Sequence, residues 1–492
     1  MATQSNIVTT ATPEEDAQQR VAIDRSLRIP VLFFFISGLA WLFVSLALGL
    51  AASVKLHSPD ILASLPFMTY GRLQPAHLNA FMYGWVFQVG LGTALWIMGR
   101  LCRISLPRIA ILIVAGILWN VGVTVGVTGI LLGHGTSMLF LDFPKGVWVL
   151  MFVAYCIIAG YLVMMFKARR DGHVFISQWY ILAACFWFPW IYLTSNLLIH
   201  HFPSAAVINA AIGSWYSGTL LMLWVVPIGL GVTYYLIPKV VGRPIHSYQL
   251  ALASFWSLAL LGGWVGVQHY MGGPLPAWMP AVSGAAMIFM IVPMVFIGIN
   301  HYRTMKGSID LVNYSPTLRF VFFGAIAFAV YILLGAAFSL FRFGKIFQFS
   351  HGELGAQMTA LYGFFTMVMF GAIYFIMPRL MGCEWRSGKW IRFHFWFSAY
   401  GTSAMLLCLL MGGLFQGQQA MAYEAEHVLS WEVAQGFLVG RSIAWVFIIL
   451  SNLMFFFHIL LMICRLGRRS GQATYIHPEK AAKEMNPAQA QA

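Results

Sequence analysis

The chain has 492 residues, of which 60% are hydrophobic and only 9% charged. Ordinary soluble domains carry about 25% charged residues, so composition excludes a soluble globule, and the same apolar excess excludes a disordered chain. The net charge of +14 would suggest a nucleic-acid binder in a soluble protein. In a chain this apolar it belongs to loops retained inside the cell, so no nucleic-acid partner is expected.

Residues 1–27 are polar and mixed in charge. They lack the apolar core and cleavage site of a signal peptide and read as a cytoplasmic tail. Twelve apolar runs follow, at 28–54, 77–99, 107–133, 145–166, 175–199, 206–237, 248–270, 280–299, 318–340, 355–377, 391–414 and 435–464. At 1.5 Å per residue each can cross a bilayer. Residues 465–492 form a second polar tail. The expected fold is an all-α, twelve-span transmembrane bundle over 28–464, with lipid as its surroundings. Six cysteines show no close spacing, so neither a thiolate metal site nor a disulfide framework is expected.

The Lys and Arg residues sort by side. Twenty-three of the 29 fall in the tails or in loops after even-numbered runs. The other six are Lys55, Arg72, Lys145, Arg342, Lys345 and Arg441. This bias supports twelve spans with both termini cytoplasmic, as in a bacterial inner membrane. An odd span count would scramble it.

Polar groups inside spans are costly, and each is a functional hypothesis. Most of the 14 histidines fall in loops, tails or near span ends and are expected to be solvated, among them His394. His458 is given no role, and His301 is expected to snorkel to the inner surface. His77, His269 and His351 remain. His77 opens span 2 within Tyr70-Gly71-Arg72-Leu73-Gln74-Pro75-Ala76-His77. On these residues alone a hydrogen-bonded histidine and a metal ligand are equally open. Met358, in span 10, lies at a similar depth, where methionine is ordinarily core filler.

Several stretches together resemble the catalytic subunit of the cbb3-type (C-family) cytochrome c oxidases of the haem–copper oxidase superfamily. They are Gly71 to His77, Tyr234-Tyr235-Leu236-Ile237-Pro238-Lys239 with Gly242-Arg243-Pro244, Phe255-Trp256 with Leu275-Pro276-Ala277-Trp278, Tyr362-Gly363, and Gly371-Ala372-Ile373-Tyr374 with Pro378-Arg379-Leu380. The resemblance covers the whole twelve-span region. It implies a low-spin haem b between His77 and the span 10 position occupied here by Met358. The family's high-spin haem ligand falls on Ala356. Its copper ligands fall on Gly218, Gln268 and His269, and its redox-active tyrosine on Gly262. Of these seven positions only His77 and His269 keep the family's residue.

Alanine and glycine offer no donor atom, and an amide is a poor copper ligand. Neither His351, five residues before Ala356, nor Met271 is expected to replace what is missing. Methionine at an axial position keeps haem coordination and raises the potential relative to two histidines. The expectation is therefore one haem b on His77 and Met358, a second haem left open, no copper and no assigned catalytic residue. Arg72 and Arg441 are candidates for pairing with haem propionates. The leading reading is a haem b electron-transfer subunit of a respiratory complex, served by c-type cytochrome subunits on the outer side. The alternatives are an oxidase or nitric oxide reductase subunit with unusual ligands, and a haem-free membrane scaffold.

Overall fold

A computed structural model describes residues 13–202, 205–422 and 427–467. Twelve helices are long and apolar enough to cross a membrane, and the described residues contain no β-strand. The protein is an integral membrane protein. Spans 1 to 6 are Pro13–His57, Tyr70–Cys102, Ile109–Leu132, Val147–Lys167, Ile176–His201 and Ala206–Val241. Spans 7 to 12 are Tyr248–Tyr270, Trp278–Met305, Pro316–Ser339, His351–Met381, Gly388–Ala420 and His427–Ile463. The face carrying most Lys and Arg is called the basic face, and its counterpart the opposite face.

Spans 2, 6 and 10 form the enclosed centre, and the other nine keep one side for lipid. The three inner spans share a local distortion. Each contains a π-helical stretch, at Ala80–Val86, Leu221–Val225 and Thr359–Thr366. Wide turns of this kind are rare and tend to mark functional sites. Here each begins within three residues of a candidate position: His77, Gly218 and Met358.

The structure corrects four expectations. The first helix begins at Pro13, so residues 13–27 of the expected tail are helical and continue into span 1. Glu14, Glu15 and Asp16 in its first turn suit the helix dipole. Ile23 and Leu27 are buried, and Asp24 accepts from Trp96 and Arg100 at 3.0 and 3.1 Å. Second, the regular helix of span 7 ends at Gly262, and a 3₁₀ turn carries Val267–Tyr270. Gly266 between them has φ +115°, a region closed to most side chains.

Third, His394, His301 and His458 are all buried. His394 stacks on Phe455 with centroids 4.5 Å apart, and its Nδ1 lies 2.9 Å from the Tyr374 hydroxyl. His301 packs on Tyr234 at 4.6 Å instead of reaching the surface. Fourth, Arg441 lies inside the helix of span 12 and is 1% exposed.

Candidate haem site and the neighbouring cavity

His77 sits two turns into span 2, fully buried between spans 1 and 12. Its Nδ1 lies 2.8 Å from the Ser45 carbonyl oxygen. A carbonyl only accepts, so Nδ1 carries the proton and Nε2 keeps its lone pair. That Nε2 is buried and has no hydrogen-bond partner. Metal-ligating histidines are held in this tautomer by the same kind of backbone acceptor. Span 1 makes room at Gly49, where a Cβ would stand 2.8 Å from the imidazole and 3.1 Å from Trp445.

Span 12 supplies the next layer. Trp445 meets His77 edge-on at 5.2 Å. Arg441, one turn earlier, lies on the same helix face. The indole Nε1 of Trp445 and the Nε and Nη1 of Arg441 are buried without partners. The Arg441 guanidinium is in electrostatic contact with Tyr70, His77 and His351. No carboxylate pairs with Arg441 among the described residues. A buried, unpaired guanidinium is costly unless an anion meets it, and a haem propionate supplies one.

Met358 is 3% exposed and closes the α-helical first part of span 10. One turn further in, Tyr362 stacks on Phe81 at 6.0 Å and 20°. Phe81 follows His77 by one turn, with ring centroids 6.2 Å apart. The Phe81–Tyr362 contact brings spans 2 and 10 together just beyond His77 and Met358. Arg72 is differently engaged. Its Nη1 donates to the Leu131 carbonyl at 3.2 Å and so caps the end of span 3. These donors fit a haem: a free imidazole lone pair, a buried thioether on the facing helix and an unpaired guanidinium.

A buried carboxyl lies near His77. Two residues on, Asn79 donates to Asp142 at 2.7 Å. Asp142 lies in the loop between spans 3 and 4 and is 2% exposed. Burial pushes its carboxyl up to about 6, against the Asn79 hydrogen bond. The unfolded carboxyl titrates near 4, so the native state binds more protons between pH 4 and 6. This group's contribution is full below pH 4 and lost as pH rises through 6. Asp142→Asn keeps the acceptor and removes the titration. Wild type should lose roughly 2 kcal/mol relative to this variant between pH 4 and 7. Paired denaturant unfolding in detergent at both pH values checks this.

A second site lies beside the first. Gly218, Gln268, His269 and Ala356 all line one cavity of about 400 Å³, together with Glu353 and Tyr331. Its chemistry does not suit copper. At Gly218 a Cβ would meet the Gly266 Cα at 2.5 Å, so two backbones touch there. The Gln268 carbonyl oxygen accepts from the Gly266 N–H and the Ser283 hydroxyl, each at 2.6 Å. The Nδ1 of His269 is held by Glu353 at 3.0 Å. Gly262 packs on Leu223 and is not part of the cavity lining. No three His, Cys, Asp or Glu side chains among the described residues form a metal-binding group. Ala356 offers a second haem iron no ligand atom.

Comparison with known proteins decides the family. The family model "Cytochrome C and Quinol oxidase polypeptide I" matches residues 29–447. The chain belongs to that family. Within it, the chain is 23% identical over 438 residues to the Cbb3-type cytochrome c oxidase subunit CcoN1 of Stutzerimonas stutzeri, covering 87% of this chain and 92% of that one. It is 23% identical over 469 residues to a cytochrome c oxidase subunit 1 homolog of Agrobacterium tumefaciens, covering 91% and 85%. The oxidase polypeptide I fold is seen also in a heme-copper terminal oxidase dimer solved by electron cryo-microscopy. That structure has TM-score 0.62 at 11% identity and covers 96% of this chain and 89% of its own.

Sequence reasoning missed Ser45, Trp445 and Glu353. Ser45 is one of three serines in the first apolar run, with Ser37 and Ser53, and nothing in the sequence singles it out. The other two had no signal short of the fold, because their partners are hundreds of residues away or, for Glu353, on another span.

Proposed function

We propose that this oxidase polypeptide I homologue is a haem b electron-transfer subunit of a respiratory complex in a bacterial inner membrane. Both termini would be cytoplasmic, and it would have no working oxygen-reducing centre. The observation that carries the reading is His77: buried, locked by Ser45 in the ligand tautomer, with its Nε2 unpartnered. When bound, haem supplies a one-electron carrier whose potential responds to its axial ligands. Each residue then has a task. His77 and Met358 hold the iron, Ser45 orients the imidazole, and Arg441 neutralises a propionate and favours the reduced state.

The opposite face, where His77 and Met358 lie, is where c-type cytochrome subunits would exchange electrons. The cavity lined by Gly218, Gln268 and Ala356 weighs against the family's oxygen chemistry, because Gly218 and Ala356 offer no donor atom and the Gln268 side-chain oxygen is engaged by Gly266 and Ser283. One experiment separates the readings: a pyridine haemochrome assay with copper analysis and oxygen uptake on the purified protein. The expected result is one haem b per chain, no stoichiometric copper and no oxygen turnover. Copper with robust turnover supports an unusual oxidase instead, and a haem-free protein supports a scaffold.

A further inference from the structure

The largest cavity described, about 630 Å³, lies far from the haem site, at the basic face. It is formed by the first turns of span 1, the ends of spans 2 and 6 and the segments leading into spans 5 and 7. Five cations line it: Arg20, Arg100, Arg103, Lys239 and Arg243. They come from three segments well separated in the sequence. The charge bias of a membrane protein places cations in loops on one side. It does not gather five of them around one concavity.

The partners do not balance these charges. Asp16 is shared by Arg20 and Arg103, and Asp24 pairs with Arg100 at 3.1 Å. Asp171 accepts from the His173 backbone N–H at 3.1 Å. Arg243 donates to the Lys306 carbonyl at 3.0 Å and pairs with no carboxylate among the described residues. Lys239 has neither a hydrogen bond nor an ion pair among the described residues. Its ammonium is in electrostatic contact with Arg20, Arg100 and Arg103, and Asp16 alone opposes them. Crowded like charges around a low-dielectric cleft concentrate a positive field. A bound anion would relieve it.

We propose that this cavity is a binding site for a phosphate-bearing anion. Arginine forks match phosphate oxygens in pairs, and lysine adds a point charge. The volume suits a small ligand. His173 and Tyr248, with rings 5.6 Å apart, give the wall an aromatic edge. Two sources share this chemistry: a soluble nucleotide or polyphosphate, and the headgroup of an anionic phospholipid. The site is independent of the haem reading.

The test uses the full chain in a neutral detergent at low salt. Inorganic pyrophosphate and ATP are titrated in one arm, and nanodiscs of phosphatidylglycerol or phosphatidylcholine form the other. Binding is read by calorimetry and thermal shift. The expected result is saturable binding that weakens with added salt and falls at least tenfold in the Lys239→Gln/Arg243→Gln double variant. The Arg342→Gln/Lys345→Gln variant at the opposite face should behave as wild type. Response to pyrophosphate or ATP identifies a soluble ligand, and selective stabilisation by phosphatidylglycerol identifies a headgroup. Lys239→Gln alone, a change at an exposed side chain, guards against loss of fold and should weaken binding severalfold. No binding in either arm, or equal binding by wild type and the double variant, overturns the proposal.

Discussion

On the proposed haem assignment, replacing His77 by alanine should abolish low-spin haem binding while the helix bundle remains folded. Span 2 carries no other imidazole, and His351 is on another helix. The loss should be total in the reduced-minus-oxidised spectrum of the purified protein, not a partial bleaching. A cavity the size of an imidazole costs a buried site a few kcal/mol, within the reach of a large, well-packed bundle. Met358→His is the complementary change. It should retain the haem and lower its reduction potential, because two imidazoles favour ferric iron more than an imidazole and a thioether do. Redox titration of the two proteins side by side reads the difference. A spectrum unchanged in both variants would place the haem elsewhere.

The second large effect concerns Gly218. A Cβ there would lie 2.5 Å from the Gly266 Cα and 2.8 Å from the Gly266 nitrogen. Both are backbone atoms and cannot rotate away. Gly266 itself has φ +115°, and its carbonyl is fixed by the Ser214 hydroxyl at 2.6 Å. Overpacking a core typically costs about 1–3 kcal/mol, and more where backbone must move. Gly218→Ala should therefore destabilise the protein by roughly 3 kcal/mol, and Gly218→His should cost more. Detergent-solubilised melting curves and yields measure both. Introducing histidines at 218, 268 and 356 together is expected to give poorly folded protein, not a copper centre. The span 7 turn packs on glycine at 218 and is held by the Gln268 side-chain amide.

Much of this architecture was legible in the sequence, for a physical reason. Span number follows from apolar length and from charge sorting, and both are properties of the linear chain. His77 stood out because a histidine in an apolar run is expensive. What the chain hid was pairwise. Arg441 looked like a loop residue, because nothing near it in the sequence shows that Tyr70 and His77 pack around it. His394 looked solvated beside Arg392, yet it fills an aromatic layer with Phe370 and Phe455. The three π-helical stretches had no visible signature, since they answer to packing between spans 2, 6 and 10. The break after Gly262 was foreshadowed by Gly262-Gly263 and Gly266, but an apolar run was read as one continuous helix.

The claim that one haem is held between His77 and Met358 meets its most direct test in near-infrared magnetic circular dichroism of the oxidised protein. The charge-transfer band of ferric low-spin haem reports its axial pair. The predicted result is the histidine–methionine band in wild type, moving to the bis-histidine position in Met358→His. A bis-histidine band already present in wild type, or no low-spin band at all, would contradict it.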